Sequence, residues 1–174
     1  MQNEQEKTQE QTSQEQTEQM QVRIQKMQGL EEKGIRVFKD KFEYTHHIKD
    51  VFAAQESYVE NQQQVKVAGR LMAMRGHGKT MFWNIQDQNG RIQVYVRKDI
   101  LGEETYDTFK LYDIGDIIGV EGTVFMTHTG ELSIKAQSVT LLSKALLPLP
   151  EKWHGLKDVE TRYRQRYVDL IVNP

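Results

Sequence analysis

Asn89-Gly90 stands between two runs, Met81 to Gln86 and Arg91 to Arg97, in which apolar and polar residues alternate. A type I′ turn needs positive φ at both central positions, and Asn-Gly supplies it at the least steric cost, so this pattern reads as a β-hairpin. With Asn89 and Gly90 as the loop, Gln88 faces Arg91, Gln86 faces Gln93, Asn84 faces Tyr95 and Phe82 faces Arg97. Trp83, Ile85, Val94 and Val96 then share one face, while Phe82, Asn84, Gln86, Gln93, Tyr95 and Arg97 share the other. The first face is a core. The second is polar with aromatics.

The hairpin sits inside a longer β pattern. Val65, Val67, Gly69 and Leu71 alternate with Lys66, Ala68 and Arg70, which predicts a half-buried strand before it. After it, Gly102 to Tyr112 reads as a helix with acidic residues in its first turn, where the helix dipole favours them. A strand punctuated by Gly119 and Gly122 follows, and Thr127-His128-Thr129-Gly130 turns into a fifth strand from Glu131 to Leu141. Glycines inside strands mark the bulges and corners that a small barrel needs. Three strands, a helix and two strands make the chain mainly β, with the order of an OB-fold, a five-stranded Greek-key barrel. The binding surface of that fold is the outer face of strands 2 and 3 with the flanking loops, here the face of Phe82, Gln93 and Tyr95.

The flanks have a different character. Residues 1–21 hold eight Gln and five Glu with no aromatic side chain, too little apolar surface to offset ordering entropy, and are expected to form a disordered tail. Across the 22–64 segment, Met20, Ile24, Met27 and Leu30 predict a helix that Gly34 stops, and Ile48 to Val59 predicts a second amphipathic one. The barrel is assigned to 65–145. Pro148 and Pro150 mark an extended exit, and Asp158 to Val172 regains helical spacing, so 146–174 reads as a linker with a C-terminal helix leading toward a further domain.

Composition excludes several functions. The 23 Lys+Arg are balanced by 25 Asp+Glu, and the barrel itself carries ten basic and nine acidic residues, so any grip on nucleic acid must be local. No cysteine is present to form a disulfide, a thiolate nucleophile or a zinc knuckle, which is compatible with a reducing, cytoplasmic setting. No run is long and apolar enough for a membrane span, and no signal peptide is apparent. Gly78-Lys79-Thr80 resembles the end of a phosphate-binding loop, but Ala73 occupies the position of the required glycine and a strand follows. That segment is expected instead to be a mobile, glycine-rich recognition loop. His46-His47 lacks a third ligand at suitable spacing, and no acid–base pair or catalytic triad can be assembled, so neither metal nor catalytic residues are assigned.

Binding chemistry is better represented. An exposed Phe82 offers a flat surface on which a splayed base can stack, and Gln93 presents a donor and an acceptor suited to the edge of an unpaired base. Arg75, in the adjoining loop, can donate to base carbonyls or phosphate, and Glu131 can accept from a base N–H. The competing arrangement packs Phe82 under the N-terminal helices and leaves Gln93 and Glu131 merely solvated. Pattern alone leaves both open.

The stretches VAGRLMAMRGHGKTMFWNIQDQNGRIQVYVRKD, GDIIGVEGTVFMTHTGELSIKAQSVTLLSKAL and PLPEKWHGLKDVETRYRQRYVDLIVNP resemble the N-terminal part of bacterial-type class II lysyl-tRNA synthetases. The first two are partly shared with the aspartyl and asparaginyl enzymes, and the third is more specific to the lysine enzyme. The resemblance implies an anticodon-binding OB domain in which Phe82 stacks on the central uridine, Gln93 and Arg75 hydrogen-bond that base, and Glu131 is a further anticodon contact. It implies lysine tRNA as partner, ATP and Mg2+ for the catalytic part of the parent enzyme but no cofactor for this stretch, and a parent homodimer with this stretch alone monomeric and inactive in aminoacylation. Leu147 stands where the family usually has Arg, Val37 where it has Pro, and Trp153 where Tyr or Phe is usual. The alternatives are an OB-fold scaffold or partner-binding barrel without tRNA specificity, and a general single-strand binder.

Overall fold

The alternation that starts at Val65 closes on itself. The structure, a computed structural model, describes residues 2–39, 41–150 and 159–173. They divide into two compact units: Gln21–Leu146, and the remaining described residues from the two ends of the chain.

Helix α1 (Gln2–Glu32) corrects the expected disordered tail, since it begins at Gln2 and not near Met20. The straight-chain residues Gln, Glu and Lys lose little rotamer freedom in a helix, and neither Gly nor Pro interrupts the segment before Gly29. Packing of the later turns supplies a nucleus from which the polar part can propagate. Leu30 is fully buried and Met27 packs on the core, whereas Glu15 and residues 17–19 are exposed. The helix ends at Gly34, at φ +74°, with the Ile35 N–H reaching back to the Leu30 carbonyl. The second predicted helix is two short ones, α2 (Ile48–Ala53) and α3 (Gln55–Glu60), broken at Ala54.

Strands β1 (Gln64–His77), β2 (Thr80–Asp87) and β3 (Gly90–Arg97) follow, and then the predicted single helix appears as α4 (Lys98–Leu101), α5 (Glu103–Thr108) and a 3-10 turn at Phe109–Leu111. Gly102, at φ +85°, breaks it. Strands β4 (Ile117–Met126) and β5 (Leu132–Ser143) complete a closed barrel in the order β1-β2-β3-β5-β4, the predicted five-stranded OB topology. Closure depends on a bulge between Glu121 and Gly122, where a Cβ on Gly122 would lie 2.1 Å from the Lys135 carbonyl oxygen. In the other unit, the predicted C-terminal helix is α6 (Val159–Arg164) and α7 (Arg166–Val172), separated at Gln165. Asp169 is buried there against Arg162 and Asn173, and Tyr163 and Tyr167 are exposed. Trp153 and Asp158 lie outside the described residues.

The hairpin register differs from the expected one by two residues. Asp87 pairs with Gly90, Gln86 with Arg91, Asn84 with Gln93 and Phe82 with Tyr95, so the loop is Gln88-Asn89. Neither Asn89 nor Gly90 adopts positive φ. Asp87 closes the turn instead: its Oδ1 accepts the N–H groups of Asn89 (2.7 Å) and Gly90 (2.9 Å). Its Oδ2 takes the N–H of Ile48 at 2.9 Å and so also docks α2. A slip of two preserves the parity of a strand, and the two faces are those the alternation predicts. Trp83, Ile85, Val94 and Val96 are fully buried, with Trp83 meeting Phe109 edge-on at 4.9 Å.

A buried ionic cluster ties the strand ends to α1. Lys144 donates to Asp116 Oδ1 (3.1 Å) and Oδ2 (3.0 Å) and to Asp113 Oδ2 (2.6 Å). Asp116, with no exposed surface, also accepts the N–H groups of Asp113 and Ala145, and its own carbonyl takes the Leu71 N–H. Lys26 of α1 reaches Asp113 Oδ1 at 2.5 Å, and Arg23 donates to the carbonyls of Ile114 and Ala145. Burial opposes the charge on Asp113, but the bonds and charges of Lys144 and Lys26 outweigh it and hold its carboxyl below the usual Asp range.

Removing the cation should leave Asp116 buried and uncompensated. Lys144→Ala is expected to lose about 3–5 kcal/mol of stability in urea unfolding. Because the Asp113 carboxyl is depressed, its contribution is present in full above the ordinary Asp value of about 3.9 and is lost as pH falls through the lower folded value. Between those two values, the stability of Lys26→Met should therefore fall less steeply with acid than that of the parent chain.

Candidate nucleic-acid interface

Residues paired across neighbouring strands, antiparallel or parallel, lie on the same face, so the register builds the site row by row. Arg75 of β1 lies opposite Phe82 of β2, Phe82 opposite Tyr95 of β3, and Tyr95 opposite Lys135 of β5. The adjacent row runs Asn84, Gln93, Ser133 and Phe125. Both rows belong to the outer face, opposite Trp83, so Phe82 is not part of the barrel interior. The Phe82 and Tyr95 rings lie 4.9 Å apart and inclined at 41°, and Tyr95 meets Phe125 at 5.7 Å. Lys135 Nζ stands 5.6 Å from the centre of the Phe125 ring.

These rings floor a cleft of about 690 Å3, and Arg75, Phe82, Gln93 and Glu131 all line it. Each is held differently. Phe82 is half-buried, supported from the side by Tyr95. Gln93 is only 8% exposed, and its Nε2 donates to Ser133 Oγ at 2.9 Å. Arg75 is exposed and has no polar side-chain partner among the described residues. The turn that carries Glu131 is closed by the Thr127 N–H on the Glu131 carbonyl (3.0 Å) and by the Glu131 N–H on Thr127 Oγ1 (2.9 Å). Its carboxylate is left exposed, with no partner among the described residues.

Two expectations need correcting. Arg75 belongs to β1 and not to a loop, and the expected mobile loop is the tight turn Gly78-Lys79 between paired His77 and Thr80. The pairing continues because Gly76 allows close approach: a Cβ there would lie 2.5 Å from both Met81 Cα and the Thr80 oxygen. The Tyr106 hydroxyl, donating to the Gly78 carbonyl at 3.1 Å, and the Lys98 N–H on the Lys79 carbonyl anchor the turn from outside. Sequence reasoning also missed Phe125 and Lys135 as lining residues, and placed Arg97 on this face without naming it as a contact. The alternation of β4 and β5 could have put the first two on the outer face, but not in the same cleft as Phe82. Arg97 is paired with Asp99.

The cleft combines stacked rings, an amide, a free carboxylate and local cations on a nearly neutral barrel. That set suits an unpaired base with its phosphate. Among the described residues, no group of three or more His, Asp or Glu is placed to hold a metal ion.

Residues 65–142 match the model of a family described as the OB-fold nucleic acid binding domain, of the tRNA anticodon type. Beyond the barrel, the chain matches the N-terminal region of lysine–tRNA ligases. It is 54% identical over 160 residues to the lysine–tRNA ligase of Bacillus subtilis (strain 168), covering 89% of this chain and 32% of that protein. It is 53% identical over 156 residues to that of Moorella thermoacetica (strain ATCC 39073 / JCM 9320), covering 89% and 31%. The chain thus spans about a third of the length of these relatives.

Because its Cβ would collide first with backbone, at 2.5 Å, and not only with the Met81 side chain, Gly76→Ala should cost about 1–3 kcal/mol in denaturant unfolding. Amide exchange should rise selectively in the turn at 78–79 as its pairing opens.

Proposed function

We propose that this chain is the anticodon-recognition part of a lysine–tRNA ligase, and that the cleft on the outer face of β2 and β3 receives the central base of a uridine-rich anticodon loop. The supporting observation is the convergence of Arg75, Phe82, Gln93 and Glu131 on one cleft. Phe82, braced by Tyr95, stacks on the extruded base. Gln93 and Arg75 address its polar edge, and Glu131 accepts from a base N–H. Uridines stack weakly on their neighbours, so drawing one out onto a protein ring costs little.

In this reading the parent enzyme attaches lysine to its tRNA with ATP and Mg2+. That chemistry resides in its catalytic part, and these 174 residues contribute recognition without aminoacylation. The parent works as a cytoplasmic homodimer, and this stretch by itself is monomeric.

Titration with an anticodon stem-loop carrying UUU, against one with the central base changed, tests the proposal. Tighter binding of UUU is expected, with affinity falling as salt rises. Equal affinity for the two loops would falsify it and leave a barrel that serves as a scaffold. Phe82→Ala should weaken UUU binding by roughly 1–3 kcal/mol, the stacking contribution of one base.

A further inference from the structure

The cleft contains a hydroxyl that the proposed contacts do not use. Ser133 lies on β5 with no exposed surface, directly opposite Gln93 in the parallel β3–β5 pairing. Its Oγ lies 3.2 Å from the Glu131 carbonyl oxygen and 2.9 Å from Gln93 Nε2. A hydroxyl has one proton to give, and a carbonyl can only accept. With that proton on the Glu131 carbonyl, Ser133 can only accept from Gln93, so the amide turns its NH2 inward. The oxygen Oε1 has no donor among the described residues and is the polar atom that Gln93 offers to the cleft. Turning the amide over would require Ser133 to withdraw its proton from Glu131, breaking one hydrogen bond in a site shielded from water.

We propose that Ser133 is a positioning residue: it fixes the donor–acceptor polarity of Gln93, so that the cleft presents an acceptor and selects, between the two pyrimidines, the one with an N–H at ring position 3. That base is uracil. Cytosine carries a lone pair at the same position and would meet Oε1 acceptor to acceptor. The inference rests on the anticodon reading given above and adds to it the element that tells the two pyrimidines apart. Arg75, which only donates, cannot supply this discrimination at the N3 position.

The test measures the full chain against two stem-loops that differ only by U or C at the central anticodon position. The parent chain should prefer U by about tenfold or more, the scale of a hydrogen bond exchanged for a repulsive contact. In Ser133→Ala the amide is free to turn, and the U/C ratio should fall to about threefold or less, mostly through improved binding of the C loop. Ser133→Thr keeps a hydroxyl and should keep the preference. If Ser133→Ala weakens both loops equally and leaves the ratio unchanged, Ser133 only packs and the positioning role is overturned. A parent chain that binds the U and C loops alike would instead overturn the anticodon reading itself.

Discussion

The contact between Lys144 and Asp116, neither of which carries an exposed charge, ties the start of β4 to the end of β5. Apolar packing is non-directional, and Val-rich strands can shift by two residues with the same side chains still facing inward. A buried carboxylate cannot shift, because it must keep its donors. Asp116 has them from Lys144, from Ala145 beyond β5 and from Asp113 before β4, while its backbone oxygen holds Leu71 in β1. Lys26 and Arg23 add the end of α1 that belongs to the same unit. Two strand ends, the middle of β1 and a helix are thereby locked in register around one charge.

That register is what makes a surface out of separate strands. Arg75, Phe82, Tyr95 and Lys135 come from β1, β2, β3 and β5 and are abreast only in the observed pairing. Under the proposed reading the barrel would need little net charge to bind RNA. Ring stacking is indifferent to ionic balance, and a few cations beside the rings are enough to meet a phosphate. Near-neutrality also disfavours indiscriminate adhesion to nucleic acid, so under the proposed reading selectivity would fall to the amide of Gln93 and the carboxylate of Glu131.

Much of this was readable from pattern. Alternation alone separated Trp83 from Phe82, and that separation survived a register error of two because parity did. The error came from giving Asn89-Gly90 the turn that its composition favours. Asp87, through contacts to Asn89, Gly90 and the distant Ile48, imposed another. Similarly, Gly76 and Gly78 looked like a mobile loop, because glycine signals equally the freedom to move and the room for close approach. Only the Thr80 and Met81 backbone against Gly76 distinguishes the two. The helix starting at Gln2 was misjudged because polar composition argues against burial, and a helix can extend without any.

Local spacing, then, determined the elements, the two faces of the hairpin and the candidates Phe82, Gln93, Arg75 and Glu131, since each follows from side-chain alternation and chemistry within a few residues. Tertiary structure decided which of them meet. The parallel pairing of β3 with β5 sets Gln93 against Ser133, 40 positions further along the chain, and points its oxygen at the cleft, a consequence of barrel closure that no local pattern encodes.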